Sequence, residues 1–279
     1  MTNKDLTIII ATFNSEEKIQ NCLESIGQDY KVIIVENSKN TDFKNKIEKN
    51  FKNVECLLAE KNLGYGQANN LALEKAKTKY SLILNPDTRL ERNAIDNFFV
   101  TAEKNSNFAI LAPLNGQSFS KEVKNNLELI EVKNVKGFAM FLNMEKFEKI
   151  GFFDKNFFLY FEEIDLCRRV IDNKEKIFLD PSIEINHDGG KSVNQSFSYQ
   201  IELTRNWHWM WSTFYYHKKY DGFFIAGLKV SQKFFSAFFK SIFYTISLNK
   251  EKKEIYLHRL SGLVNSILGR SSWHRPTLD

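Results

Sequence analysis

Three carboxylates, Glu162, Glu163 and Asp165, fall within four residues directly behind the aromatic run Phe157-Phe158-Leu159-Tyr160-Phe161. Leu166, Val170 and Ile171 continue at helical spacing, so the acids sit where an apolar strand or loop gives way to a helix. A helix N-terminus carries partial positive charge and accepts carboxylates, so one reading is an acid-rich capping turn. The other is a general base. Rings packed beside a carboxylate limit its hydration, raise its pKa and ready it to take a proton.

The elements that would position such a base can be read upstream. Leu6–Ala11, Lys31–Val35, Val54–Ala59, Tyr80–Leu84 and Phe108–Ala112 are apolar runs that read as buried strands. Helical patterns lie between them: one through Ile19, Leu23 and Ile26 behind a Ser15 cap, one over Phe43–Phe51, one through Ala68, Leu71, Leu73 and Ala76 opened by Asn62–Gly66, and one over Glu91–Glu103. Alternation of this kind predicts a parallel sheet with helices on both faces, joined by right-handed crossovers. Ligands of such sheets bind beyond the carboxyl ends of the strands. Thr12-Phe13-Asn14, Glu36-Asn37-Ser38, Asn62–Gly66 and Asn85-Pro86-Asp87 each follow a strand and should converge on one edge. Each alone has the composition of a turn; together, at the right strand ends, they mark a candidate site. Further along, Gly116–Glu131 is polar and suits a hairpin or loop. Val135–Leu142 reads as a strand, Glu145–Ile150 as a short helix, and Ile177–Leu179 and Ile183–Ile185 as short strands, the last running into Asn186-His187-Asp188-Gly189-Gly190.

Of 279 residues, 43% are hydrophobic, enough for a sizeable core, and the net charge of +5 is too small to point to nucleic acid. Cys22, Cys56 and Cys167 show no CxxC spacing and suit buried thiols in a reducing compartment. The N-terminal apolar run is short and lacks a cleavage region, so it does not read as a signal peptide. No apolar run approaches the roughly 20 residues of a membrane span. These features predict a cytoplasmic protein or one peripheral to the inner face of the cell membrane. Two regions are expected: an α/β domain over 1–195 and an aromatic-rich helical extension over 196–279. Within 223–248, Lys229, Lys233, Ser236, Lys240 and Ser247 form a polar stripe beside a wide apolar face. That pattern suits packing on the core or contact with a membrane surface.

The ordered set Ile10–Asn14, Val35–Ser38, Asn62–Asn70, Leu84–Asp87, Gly151–Asp154 and Phe158–Arg169 resembles family 2 glycosyltransferases, and most closely the rhamnosyltransferase-like branch that builds bacterial surface polysaccharide. The resemblance runs from about residue 6 to 192, two-thirds of the chain. It implies a GT-A fold, a Rossmann-like, mostly parallel sheet. It also implies inverting transfer of a sugar, rhamnose being one candidate, from a nucleotide-diphosphate sugar to a saccharide or lipid-linked acceptor. Carried over by position, Thr12, Asn14 and Glu36 match residues that hold the nucleoside. Asn62, Gly64 and Asn69 match the loop closing over it. Asn85 and Asp87 fall on the metal motif, with Asn in place of its first acid. Glu162 and Glu163 match the family's acid pair, whose second member is the base, with Asp165 as a further acid nearby. His187 matches a histidine that some relatives place on the metal.

The implied chemistry suits these residue types. Asp87 offers a hard oxygen ligand to Mg²⁺ or Mn²⁺, with phosphate oxygens filling the shell; a histidine ligand favours Mn²⁺. Glu163 would take the acceptor's proton in a single displacement. Two other classes fit parts of the sequence. A nucleotidyltransferase would use a similar sheet and aspartate, but would carry a Gly- and basic-rich phosphate loop where Thr12-Phe13-Asn14-Ser15 stands. A non-catalytic, membrane-peripheral nucleotide-sugar-binding protein would not need Asp87 and Glu163 together.

Overall fold

The computed structural model describes residues 2–114, 128–187 and 198–276. The chain forms two compact units: Met1–Phe153 with Glu163–Asn194, and Asp154–Glu162 with Gln195–Asp279.

The first unit is built on an eight-stranded sheet. β1 (Leu6–Thr12), β2 (Lys31–Glu36), β3 (Val54–Leu58) and β4 (Tyr80–Leu84) run parallel in the order β3-β2-β1-β4. Beyond β4 the order continues β8 (Ala139–Asn143), β6 (Ile110–Pro113), β9 (Ile177–Asp180) and β7 (Ile130–Val132). β8 is antiparallel to both neighbours and β7 to β9, so the sheet is mostly, not wholly, parallel. Successive side chains on a strand point to opposite faces, and both faces here are dry. Ile8, Ile10, Val32, Ile34 and Leu82 pack with α1 (Glu16–Ile26), α2 (Thr41–Asn50) and α4 (Ala94–Lys104). Ile9, Ile33, Val35 and Ile83 pack with α3 (Gly64–Lys75), α5 (Met144–Ile150) and α6 (Glu162–Asp172). Two covered faces explain why these strands read as unbroken apolar runs.

Two departures from the sequence reading shape the site. The strand expected from Val135 begins only at Ala139, because Gly137 and Phe138 form a turn. β4 and β8 pair with Leu84 opposite Ala139, so this turn lies against the end of β4. Second, Thr88–Leu90 is a short strand, β5, and the helix expected from Glu91 starts at Ala94. β5 pairs antiparallel with β10 (Ile185–His187), which sets His187 opposite Thr88. His187 therefore lies within a strand rather than behind one. Of the polar stretch 116–131, residues 128–131 are described and lead into the edge strand β7; the remainder, like 188–190, lies outside the described residues.

The second unit contains α7 (Ser198–Asp221), α8 (Phe223–Ile246) and α9 (Lys250–Ile267). Met210, Phe214, Ala226, Val230 and Leu263 form its small core. The indole N–H of Trp207 donates to Ser261 Oγ at 3.1 Å, and that of Trp211 to the Arg270 carbonyl at 3.0 Å. The segment 154–162 is stitched to these helices. Phe157 meets Tyr215 edge-on at 5.0 Å and Phe158 lies 4.5 Å from the His208 ring. Ser212 donates to the Leu159 carbonyl and Ser272 to that of Asn156. No described helix is long and apolar enough to cross a membrane. Gly262 marks the closest approach of α9 to α7, since a β-carbon there would collide with the Trp207 carbonyl. Gly262→Ala is therefore expected to force the helices apart and lower stability by about 1–3 kcal/mol, read as a lower urea midpoint.

Candidate active site

The loops after the parallel strands are tied to one another. The Asn37 N–H donates to the Thr12 carbonyl at 2.9 Å, and Asn37 Oδ1 accepts from the Leu63 N–H at 3.1 Å. One buried residue, through its backbone N–H and its side chain, thus joins the ends of β1 and β2 to the loop that opens α3. Glu36, 1% exposed, accepts from the Ser38 N–H, the Ser38 hydroxyl and the Asn40 N–H, which fixes the turn into α2. Asn14 is half-buried in the left-handed region (φ 48°), which asparagine tolerates better than most residues. Asn62 Oδ1 accepts the Gly64 N–H at 3.0 Å.

Two residues expected at the nucleotide sit differently. The Thr12 hydroxyl is enclosed and directed at the Val35 carbonyl, 3.4 Å away. Asn69 is fully buried and donates to the Tyr65 carbonyl one turn back. Both brace the scaffold, and Asn69 Oδ1 is enclosed with no hydrogen-bond partner among the described residues. Strand ends and first helical turns demand polar closure whether or not a ligand follows.

At the end of β4 three side chains converge. The Asp87 side chain is wholly shielded from solvent, and neither carboxylate oxygen has a hydrogen-bond donor among the described residues. His187 Nε2 lies 3.4 Å from Asp87 Oδ1 and 3.4 Å from Asn85 Nδ2. The β5–β10 pairing brings His187 here, and Phe138 stacks on its ring at 4.6 Å, nearly parallel to it, which fixes the ring's plane. The Phe138 carbonyl also accepts the Asn85 N–H at 2.9 Å. A buried carboxylate without a donor, faced by an imidazole nitrogen, is a donor set that fits a divalent cation. No three or more His, Cys, Asp or Glu are grouped so as to hold a metal ion among the described residues, so such an ion would draw its remaining ligands from phosphate oxygens and water.

The acidic stretch opens α6. Its lead-in is strained: Tyr160 (φ 68°) and Phe161 (φ 71°) are consecutive aromatic residues in the left-handed region, a conformation that costs about 1–2 kcal/mol each. Burial pushes the Glu163 carboxyl above the ordinary glutamate range, while its own N–H and that of Ile164 pull the other way. Asp165 is fully buried and takes Arg169 Nε at 2.9 Å; the guanidinium reaches on to the carbonyls of Ile150, Gly151 and Phe152. Asp165 thus belongs to a clamp on the 150–152 turn. Arg168 instead meets Asp172 at 3.8 Å. Glu162 is buried at the first helical position.

Gly137 joins the two halves of this constellation. A β-carbon on it would lie 3.6 Å from the Glu163 Cβ and 3.3 Å from the Tyr65 hydroxyl, which donates to the Gly137 carbonyl. The next residue is Phe138, against His187 and Asn85. Two consecutive residues therefore touch Glu163 on one side and the Asn85–Asp87–His187 group on the other. Sequence reading placed both inside a strand, and only the glycine hinted at a turn. It also gave no role to Asn37 or to Asn70, whose amide exchanges two hydrogen bonds with the Phe153 backbone at 2.8 and 2.9 Å.

Residues 7–168 match the family model described as Glycosyl transferase family 2. A low-salt glycan biosynthesis hexosyltransferase of Haloferax volcanii is 25% identical over 227 residues, 71% of this chain and 72% of that protein. A teichoic acid poly(glycerol phosphate) polymerase of Staphylococcus epidermidis is 34% identical over 46% of this chain, but the match spans only 18% of that protein. Among solved structures, a mannosyltransferase from Pyrobaculum calidifontis in complex with GDP-Man and Mn²⁺ has a TM-score of 0.59 at 12% identity, covering 96% of this chain and 88% of that one. S. aureus TarS 1–349 in complex with UDP-GlcNAc has a TM-score of 0.53 at 12% identity, covering 97% and 93%. These likenesses in fold agree with the sheet and helical layers described above.

Two outcomes follow from this geometry. Saturating Mn²⁺ or Mg²⁺ should stabilise the wild type by about 2–3 kcal/mol at a hundredfold excess over Kd, and less in acid, where imidazole must give up a proton to bind. Asp87→Ala should abolish that gain and His187→Ala reduce it, as thermal melts with and without chelator will show. Asp165→Asn, which leaves Arg169 without its buried partner, should cost about 3 kcal/mol of stability, whereas Glu163→Gln should leave the urea midpoint close to that of the wild type.

Proposed function

The chain belongs to glycosyl transferase family 2, and from that premise we propose that it is an inverting, metal-assisted hexosyltransferase. It would move a sugar from a nucleotide-diphosphate donor to a saccharide or lipid-linked acceptor in surface glycan synthesis. The observation that carries this reading is the pairing of a donor-starved Asp87 beside His187 with a half-buried Glu163, the two sides joined through Gly137 and Phe138.

The donor's nucleoside would lie over the ends of β1–β3, where Asn14 and Asn62 are partly exposed and Glu36 and Asn37 hold the loops rigid. Its diphosphate would reach Asp87, Asn85 and His187. A divalent cation bound there would neutralise the charge that develops on the leaving diphosphate. Glu163 would accept the proton of the attacking hydroxyl as the new glycosidic bond forms and the bond from the anomeric carbon to the diphosphate breaks. One displacement inverts that carbon, so a single base suffices. Glu162 and Asp165 support the base, Asp165 through Arg169. The curated hexosyltransferase relative and the solved structures with GDP-Man or UDP-GlcNAc favour a hexose donor of this class; the resemblance of the motifs adds rhamnose as a candidate.

The direct test is incubation with a panel of UDP-, GDP- and dTDP-sugars, scoring release of nucleoside diphosphate and the anomeric configuration of the product by NMR. A retained configuration, or no release from any donor in the presence of Mn²⁺ and a glycan or lipid-phosphate acceptor, would sink the proposal. Glu163→Gln should keep donor affinity and lose about 10²–10⁴-fold in kcat, with Glu163→Asp intermediate. Because the base must be ionised and burial raises its pKa, kcat/KM should fall as pH drops through a value above the ordinary glutamate range near 4.3. Glu163→Gln should remove that acid limb.

A further inference from the structure

α8 is packed the wrong way round for a helix of a water-soluble unit. Its buried positions are small: Ala226, Val230, Ala237 and Ser241, at steps of four, seven and four. On the opposite side, Phe224, Leu228, Phe235, Phe239, Phe243 and Ile246 form a continuous exposed strip. Phe224 is 85% exposed, Ile246 78% and Leu228 76%. At about 100° per residue these side chains fall on one face. Lys229, Lys233 and Lys240 run in a row about a third of a turn round from the strip, and α8 contains no acidic residue. Lys229 is held by Asp221 at 2.8 Å, and Lys240 lies over the Tyr256 ring; Lys233 is exposed. Lys233 and Arg259 also line a cavity of about 230 Å³ with Trp209, Gln232 and Ser236, and no carboxylate borders it.

We propose that α8 is an interfacial helix that lies flat on an anionic bilayer, its aromatic strip among the acyl chains and its lysines at the headgroup phosphates. Exposed apolar surface of this extent marks an interaction site. Phenylalanine-rich strips flanked by lysine, on a helix too polar to span, are what binds at the interfacial plane. Charge separates this occupant from a second copy of the chain. Two α8 faces laid together would bring lysine rows to a helix with no carboxylate of its own, the neighbouring Asp221 being already engaged by Lys229, whereas acidic lipids neutralise them. Lysine stems also allow the ammonium groups to reach upward to phosphates while the strip sinks below. The inference rests on α8 alone and not on the transferase reading.

The test is co-sedimentation of the full chain with vesicles of phosphatidylcholine alone, or with an equal part of phosphatidylglycerol, at low salt. Strong binding to the acidic vesicles is expected. Lys233→Ser with Lys240→Ser should weaken it by roughly 25-fold, about fivefold for each lysine, and added salt should also weaken it. Phe224→Ser, Phe239→Ser and Phe243→Ser together should abolish it. All of these positions are exposed, so circular dichroism should be unchanged. Absence of wild-type binding, or wild-type binding by the triple variant, overturns the proposal. So does a lipid-free dimer that the phenylalanine substitutions dissociate without any vesicle binding, which assigns the face to a second copy. Hydrolysis of a nucleotide sugar in free solution is read separately, so loss of vesicle binding and loss of catalysis cannot be confused.

Discussion

A carboxylate shut away from water needs a donor or a positive charge beside it, and at Asp87 the described residues supply an imidazole and no hydrogen bond. Enclosing such a group costs several kcal/mol unless something cationic shares the space. Much of the first unit can be understood as what keeps that arrangement in place. β4 delivers Asp87 at its end, the β5–β10 pair carries His187 across to it, and the Phe138 ring stops the imidazole from rotating away. The turn that offers this ring also accepts the Asn85 N–H, so one residue holds both the imidazole and the backbone two positions before Asp87.

The acid-bearing start of α6 is held by different means. Two aromatic residues in the left-handed region would relax if released. Within the second unit Tyr160 meets the Trp209 ring at 5.4 Å, and Phe161 lies between Trp209 and Tyr216 at 5.6 and 5.2 Å. Ser212 fixes the Leu159 carbonyl just before them. One turn into α6, Arg169 locks onto Asp165 and three consecutive carbonyls. Rigid support of this kind is what a proton-transfer group requires, since reach is limited to hydrogen-bond distance.

Much of this was legible in the sequence because buried parallel strands announce themselves as apolar runs and their ends as polar clusters. The order and approximate bounds of β1–β4 and α1–α4 follow from that pattern alone, as does the gathering of the first three loops that Asn37 ties together. The misreadings have a common origin. Gly137-Phe138 continues the apolar run of β8, and nothing local reveals that the chain turns there; the turn is imposed by pairing with β4. Thr88–Leu90 is too short to show a period, and becomes a strand only because residues nearly a hundred positions later lie beside it. Thr12 and Asn69 are a different case. Polar residues that close a strand end or a first helical turn have the composition of ligand contacts, and only burial distinguishes the two. Asp165 was recognised as a supporting acid, yet its partnership with Arg169 and the three carbonyls required coordinates.

The segment 154–162 interrupts the sheet unit in sequence but packs with the helices of the second. Phe157 and Phe158 find their neighbours in Tyr215, His208 and the Arg275 guanidinium, which lies 3.7 Å over the Phe158 ring. The second unit is thus assembled from two separate stretches of chain, one of them inserted immediately before the acidic helix. In evolutionary terms the helices are not a detachable module. A recombination event that exchanged the chain after residue 195 would leave the inserted aromatics facing partners they were not selected with. New tails on this scaffold should therefore be inherited together with their matching aromatic insert, a double crossover rather than a single one.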